Sequence, residues 1–300
     1  MNAGLFTIEG VVPALLTPMA EDGVHVDDGA LRHLCDFLIE QGVHGLMPCG
    51  TTGEGPLLNI AERKRVAEVV LEAAGGRVPV IVHVGTLTTH ETIELARHAY
   101  EIGADACSVV MPYYYLLDEE TLITHLSRVA SSVPDMPIFL YNIPQNTGNS
   151  LSLRAVQTIA EIHPNVVGIK DSSGDLSLLI RFMEVRGGAF NVVIGSDILF
   201  FPGLIMGARA CVSGNANVFP ELFVSLFEAF KNADYERCRA FQEKINAIIY
   251  ILGDGKDLSL FKEVLGQRGV RAGEVRPPLR QASQDEVLAC IRSLRELGLL

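Results

Sequence analysis

Short apolar or β-branched runs recur along the chain, each followed by a stretch whose apolar positions are spaced for a helix. The runs are GVVPALLTP (10–18), GLMPCGT (45–51), PVIVHVG (79–85), CSVVMPYY (107–114), IFLYNIP (138–144), VVGIKDS (166–172), NVVIGSD (191–197) and ACVSGNAN (210–217). Several are continuous rather than alternating, the pattern of parallel strands covered outside and packed within. The stretches between them carry helix starts: Asn59 with Glu62, and Thr88 with Glu91, have the spacing of a capping box. Gly75 and Gly103 stand where those helices should stop. Eight β–α units over about 220 residues predict a (β/α)8 TIM barrel, whose usual size is roughly 250 residues. A doubly wound open sheet is the competing architecture, but its G-x-G-x-x-G turn is missing.

Beyond the last run the text is helical. YERCRAFQEKINAIIYILG, DLSLFKEVLGQRG and SQDEVLACIRSLRELG have spaced apolar positions, and Ser283 with Glu286 forms another capping pair. The expectation is a barrel over residues 1–230 carrying the active site, and a C-terminal helical extension over 231–300 packed on it or at an oligomer contact.

Composition narrows the partners. Acidic residues outnumber basic ones by 36 to 24, a net charge of −12, which disfavours nucleic acid and anionic membranes. No apolar stretch reaches the roughly 18 residues that span a bilayer, and MNAGLFTIEG does not read as a signal peptide. The six cysteines are scattered without a C-x-x-C pair, as expected of reduced, mostly buried thiols in the cytoplasm. No metal-ligand spacing occurs, so neither metal nor cofactor is expected. His44 and His83, both on strand text, are expected to be packing or hydrogen-bonding residues.

In a barrel of this kind the reacting groups come from the C-terminal ends of the strands. Those ends offer Thr51 and Thr52, Tyr113 to Tyr115, Tyr141 and Asn142, Lys170, Ser196 with Asp197, and Ser213 to Asn217. Lys170 stands out, because the other five lysines lie in helix or loop text. Facing the barrel it would lose hydration, which favours the neutral amine needed to form a Schiff base with a carbonyl carbon. It could instead turn outward, or neutralise Asp171 or Asp175. Consecutive strands lie roughly 4.8 Å apart, so Tyr141 is expected beside Lys170, where a phenol can shuttle a proton. CGTTGEG (49–55) offers hydroxyl and backbone donors for a carboxylate, although such a turn can be only a turn.

GTTGE, P-Y-Y, YNIP-x-x-TG and GIKDSSGD, in this order and at these strand ends, resemble the dihydrodipicolinate synthase / N-acetylneuraminate lyase family over nearly the whole chain. The resemblance implies a class I, Schiff-base-forming aldolase or lyase on a (β/α)8 barrel, usually a homotetramer built as a dimer of dimers. It implies that Lys170 forms an imine with pyruvate or another 2-oxo acid and that Tyr141 is the general acid/base. It gives Thr51 a place in the proton relay and Thr52 a place at the 2-oxo acid carboxylate. Tyr114 would be the relay tyrosine that reaches a neighbouring subunit, and the backbones of Gly195 and Val212 would face the bound 2-oxo acid.

Asn146 occupies the position where the dihydrodipicolinate synthase branch usually carries an arginine for the second substrate's carboxylate, and it lacks that charge and fork. VIVHVGTLTTHETIELARHA and the three-aromatic PYYY are similar to the sialic acid lyase branch, but Ile198 after Asp197 and SGNAN depart from it. The expected partner is therefore an aldehyde or sugar acid, with a 2-keto-3-deoxy sugar acid or related hydroxy-2-oxo acid made or cleaved. Condensation of pyruvate with aspartate semialdehyde, N-acetylneuraminate cleavage, and a catalytically silent 2-oxo acid binding protein are the alternatives.

Overall fold

The computed structural model describes residues 6–253 and 256–300. Among them seven strands form one sheet: β1 (Gly10–Pro13), β2 (Ile81–His83), β3 (Ala106–Val110), β4 (Ile138–Asn142), β5 (Val166–Asp171), β6 (Asn191–Ile194) and β7 (Ala210–Ser213). Their order is β1-β7-β6-β5-β4-β3-β2, and the registered pairs from β2 to β7 are parallel. Every residue of every strand is buried, which explains the continuous apolar runs.

Run 45–51 is the exception to regular pairing. It contributes a single parallel bridge, Met47 to Ala14, supported by Leu15 N donating to Met47 O at 2.9 Å. Pro48 lacks an N–H and Cys49 has φ +63°, so the ladder cannot continue there.

The chain divides into two compact units. One comprises residues up to Gly10 together with Pro79–Val212, the other Val11–Val78 together with Ser213–Leu300. In the first, helices Thr89–Glu101, Glu119–Ser132, Leu153–Ile162 and Leu176–Met183 follow β2 to β5. Thr88 caps the first of these through Glu91 N, and Gly103 beyond its end has φ +79°. In the second unit, Asn59 and Glu62 form a capping box on helix Ile60–Ala74, which ends on Gly75 in the left-handed region. The C-terminal text forms helices Tyr235–Ile251, Leu258–Gln267 and Gln284–Glu296, the last with the Ser283–Glu286 capping box.

All six cysteines are buried, free thiols. His44 accepts from Val11 N at 3.2 Å and packs edge-on against Phe227, the packing and hydrogen-bonding role expected of it. No helix among the described residues is long and apolar enough to cross a membrane.

Candidate active site

Register sets the central pair. Tyr141 on β4 is aligned with Lys170 on β5, and Asn142 with Asp171. Both side chains at the strand ends are buried, Lys170 at 6% exposure and Tyr141 at 2%. The lysine Nζ lies 4.1 Å from the centroid of the tyrosine ring, a distance at which the ring face attracts a cation. His83 on β2 packs edge-on against the same ring, with centroids 5.8 Å apart.

The two carboxylates that could have neutralised Lys170 are engaged elsewhere. Asp171 accepts from Asn142 Nδ2 and Ser173 Oγ, each at 2.7 Å, and burial raises its pKa against those hydrogen bonds. Asp175 caps helix Leu176–Met183 through Leu178 N. Among the described residues no ion pair involves Lys170. Its buried amine has the Tyr141 ring face as its neighbour.

Gly195 follows β6 and donates its N–H to Asp171 O at 2.8 Å. A Cβ there would stand 2.0 Å from Ser172 Oγ and 3.0 Å from Lys170 Cε, so a side chain at 195 would displace Ser172 and crowd the lysine. Val212 is buried on β7. Its neighbour Cys211 directs Sγ to Asp197 Oδ1 at 3.6 Å, and burial followed by the Asp197 charge drives that thiol's pKa well up.

The loop after β3 presents Tyr114 and Tyr115 outward. Tyr114 is 84% exposed with φ +79°, and the two rings meet edge-on at 5.1 Å. Asn149 anchors this loop: its Nδ2 donates to Pro112 O and Tyr115 O, and its Oδ1 accepts from Leu117 N. Asn146, three residues earlier, is exposed.

Thr51 and Thr52 belong to the second unit, in the turn after run 45–51. Thr51 is exposed and Thr52 half-buried. Thr17 Oγ1 donates to Gly53 O at 2.6 Å, and Glu54 N donates to Thr51 O at 3.1 Å, closing the turn. Thr52 packs against Gly214, where a Cβ would come 2.9 Å from its hydroxyl.

Several contacts now prominent escaped sequence reasoning. Asn142 and Asp171 could have been paired from the same adjacency that paired Tyr141 and Lys170. Asn149, Cys211 and Glu54 had no local signal, since their partners are distant in sequence.

The sequence model of the dihydrodipicolinate synthetase family matches residues 7–297. The chain belongs to that family. A 4-hydroxy-tetrahydrodipicolinate synthase of Methanopyrus kandleri is 39% identical over 98% of both chains. Among solved structures, a prophage protein of E. coli K12 from the same family, in complex with pyruvate, has a TM-score of 0.93. It is 31% identical, with 97% of this chain and 99% of the other covered. The N-acetylneuraminate lyase of Proteus mirabilis has a TM-score of 0.92 at 29% identity, covering 98% of this chain and all 100% of the other. The fold is the (β/α)8 barrel of these relatives with C-terminal helices, and the chain is a Schiff-base-dependent lyase of the class I aldolase type.

Proposed function

We propose that Lys170 forms an imine with pyruvate or another 2-oxo acid, and that the enzyme uses it to make or cleave a 2-keto-3-deoxy sugar acid or related hydroxy-2-oxo acid. The observation that carries this reading is the buried amine of Lys170 at the end of β5, without an ion-pair partner and against Tyr141. The neutral amine attacks the C2 carbonyl to give a carbinolamine. Tyr141 hands a proton to the departing hydroxyl, which leaves as water. The imine then draws electrons from the adjacent carbon: losing a proton there gives an enamine that adds to an aldehyde, and the reverse course cleaves the bond. Water finally releases the product and restores the amine.

The remaining roles follow the family resemblance. Thr51 belongs to the proton relay, Thr52 holds the 2-oxo acid carboxylate, and the backbones of Gly195 and Val212 face the bound acid. Asn146 meets the second substrate. Tyr114 serves a neighbouring copy within a homotetramer, a role supported by its exposure and left-handed backbone. A cytoplasmic enzyme is supported by six free, buried thiols.

A second reading, condensation of pyruvate with aspartate semialdehyde, is favoured by the 39% identity to the Methanopyrus kandleri synthase. Asn146 weighs against it, because an amide supplies no charged fork for a second carboxylate. Purified enzyme offered 2-keto-3-deoxy sugar acids, N-acetylneuraminate, and pyruvate with aspartate semialdehyde, with pyruvate release or consumption followed, separates these readings. Turnover of a keto-deoxy acid supports the first. Preference for aspartate semialdehyde establishes the second, and pyruvate binding without turnover of any candidate points to a silent binding protein.

A further inference from the structure

We propose that Glu54 and Lys262 are positioning residues for the Thr51–Thr52 turn, through which the C-terminal segment helps to hold the 2-oxo acid; this rests on the roles given to those threonines above. Glu54 sits two residues after Thr52 with φ 55° and ψ 25°, a left-handed conformation that a residue with a Cβ keeps only where its surroundings hold it. Its side chain is what the surroundings grip. Oε1 lies 2.6 Å from Lys262 Nζ, with the two side chains 0% and 1% exposed.

The grip extends into the C-terminal segment on both sides. Lys262, on helix Leu258–Gln267, donates to Glu274 O at 2.7 Å, and Arg276 N donates to Glu54 Oε2 at 2.7 Å. The Arg276 guanidinium donates to both carboxylate oxygens of Glu62 at 2.8 Å and to Leu57 O at 2.9 Å. The catalytic turn, the capping box of the helix after it, and residues 274–276 thereby form one network. The turn has no slack of its own: a Cβ on Gly55 would stand 2.0 Å from Cys49 O.

A fully buried ion pair is a poor way to gain stability, since apolar residues of like volume commonly do as well. What the pair supplies is direction. Both partners of the carboxylate, Lys262 Nζ and Arg276 N, belong to the C-terminal segment, and Glu54 N is the donor that closes onto Thr51 O. Burial pulls the Lys262 pKa down, and the Glu54 charge opposes it.

The test measures the pyruvate concentration that half-saturates borohydride trapping, together with the melting temperature, in wild type, E54Q, K262M and the double variant E54Q/K262M. Both single variants are expected to raise the half-saturating pyruvate at least tenfold and to melt earlier. The double variant leaves no uncompensated charge and should recover melting temperature while the half-saturation stays raised. That separation marks positioning, because a purely structural pair would recover both together. A wild-type adduct on Lys170 with unchanged half-saturation in all three variants, or parallel recovery in the double variant, overturns this inference alone. Absence of any wild-type adduct on Lys170 overturns the functional reading, and this inference with it.

Discussion

Tyr141 and Lys170 are register partners on adjacent strands, and the lysine amine stands over the tyrosine ring 4.1 Å from its centroid. A ring face attracts a cation by about 0.5–2 kcal/mol. On the proposed reading the protonated imine is a cation at nearly the same place, so the ring stabilises that intermediate.

The phenol hydroxyl and the ring can be separated experimentally. Y141F keeps the aromatic face and removes the proton shuttle, so imine formation should slow by about 10²- to 10⁴-fold. The amount of adduct finally trapped should match wild type. Stopped borohydride time courses give both quantities, and an unchanged rate would remove Tyr141 from the proton transfer.

Gly195 is expected to be intolerant for a specific reason. In G195A the new methyl meets Ser172 Oγ, Asp171 O and Lys170 Cε. Overpacking of this kind costs about 1–3 kcal/mol, and here the Lys170 side chain is among the groups it meets. Pyruvate trapping should weaken at least tenfold, and S172A/G195A should recover part of the loss by removing the closest atom. Additive effects in that double-mutant cycle would mean the clash is not the cause.

On the proposed reading, Asn146 meets the second substrate. N146R adds a guanidinium able to fork to a carboxylate, a bond worth about 1.5–3 kcal/mol. The ratio of kcat/KM for aspartate semialdehyde to that for an uncharged aldehyde should rise about tenfold. A ratio that stays level or falls would show that position 146 does not meet the second substrate.

Stability should depend on pH through His125. Its Nδ1 is 2.9 Å from Thr89 Oγ1, and burial pushes its pKa down to about 4. An unfolded histidine titrates near 6.5, so between these values the unfolded chain holds a proton that the fold excludes. The contribution is complete above about pH 6.5 and is lost as pH falls toward 4, the loss amounting to about 2 kcal/mol at pH 5. Unfolding free energies from denaturant titrations at pH 7.5 and pH 5 should differ by about this much more in wild type than in H125Q, which cannot titrate. Equal differences would place the pH dependence elsewhere.

Much of this was legible in the sequence where the signal is local or repeats. Continuous apolar runs marked the strands because both faces of each are buried, and the Asn59–Glu62 and Ser283–Glu286 pairs marked helix starts because capping is decided within four residues. The pairing of Tyr141 with Lys170 followed from strand adjacency alone. Run 45–51 read like its fellows, but Pro48 and the left-handed Cys49 cut its pairing to one bridge. Glu54 and Lys262 lie 208 positions apart, and nothing in GTTGEG or in DLSLFKEVLG announces that both charges will be buried together. Cys211 and Asp197 were hidden in the same way: each belongs to a run that was recognised, but the contact between them depends on how those runs pack.

The most direct test of the central claim is borohydride reduction in the presence of pyruvate, followed by intact mass and peptide mapping. The account predicts one reduced pyruvate adduct per chain, located on Lys170 and absent in K170M. If neither pyruvate nor longer 2-oxo acids leave a mass on Lys170, or if the adduct maps to another lysine, the Schiff-base role assigned to this residue is wrong.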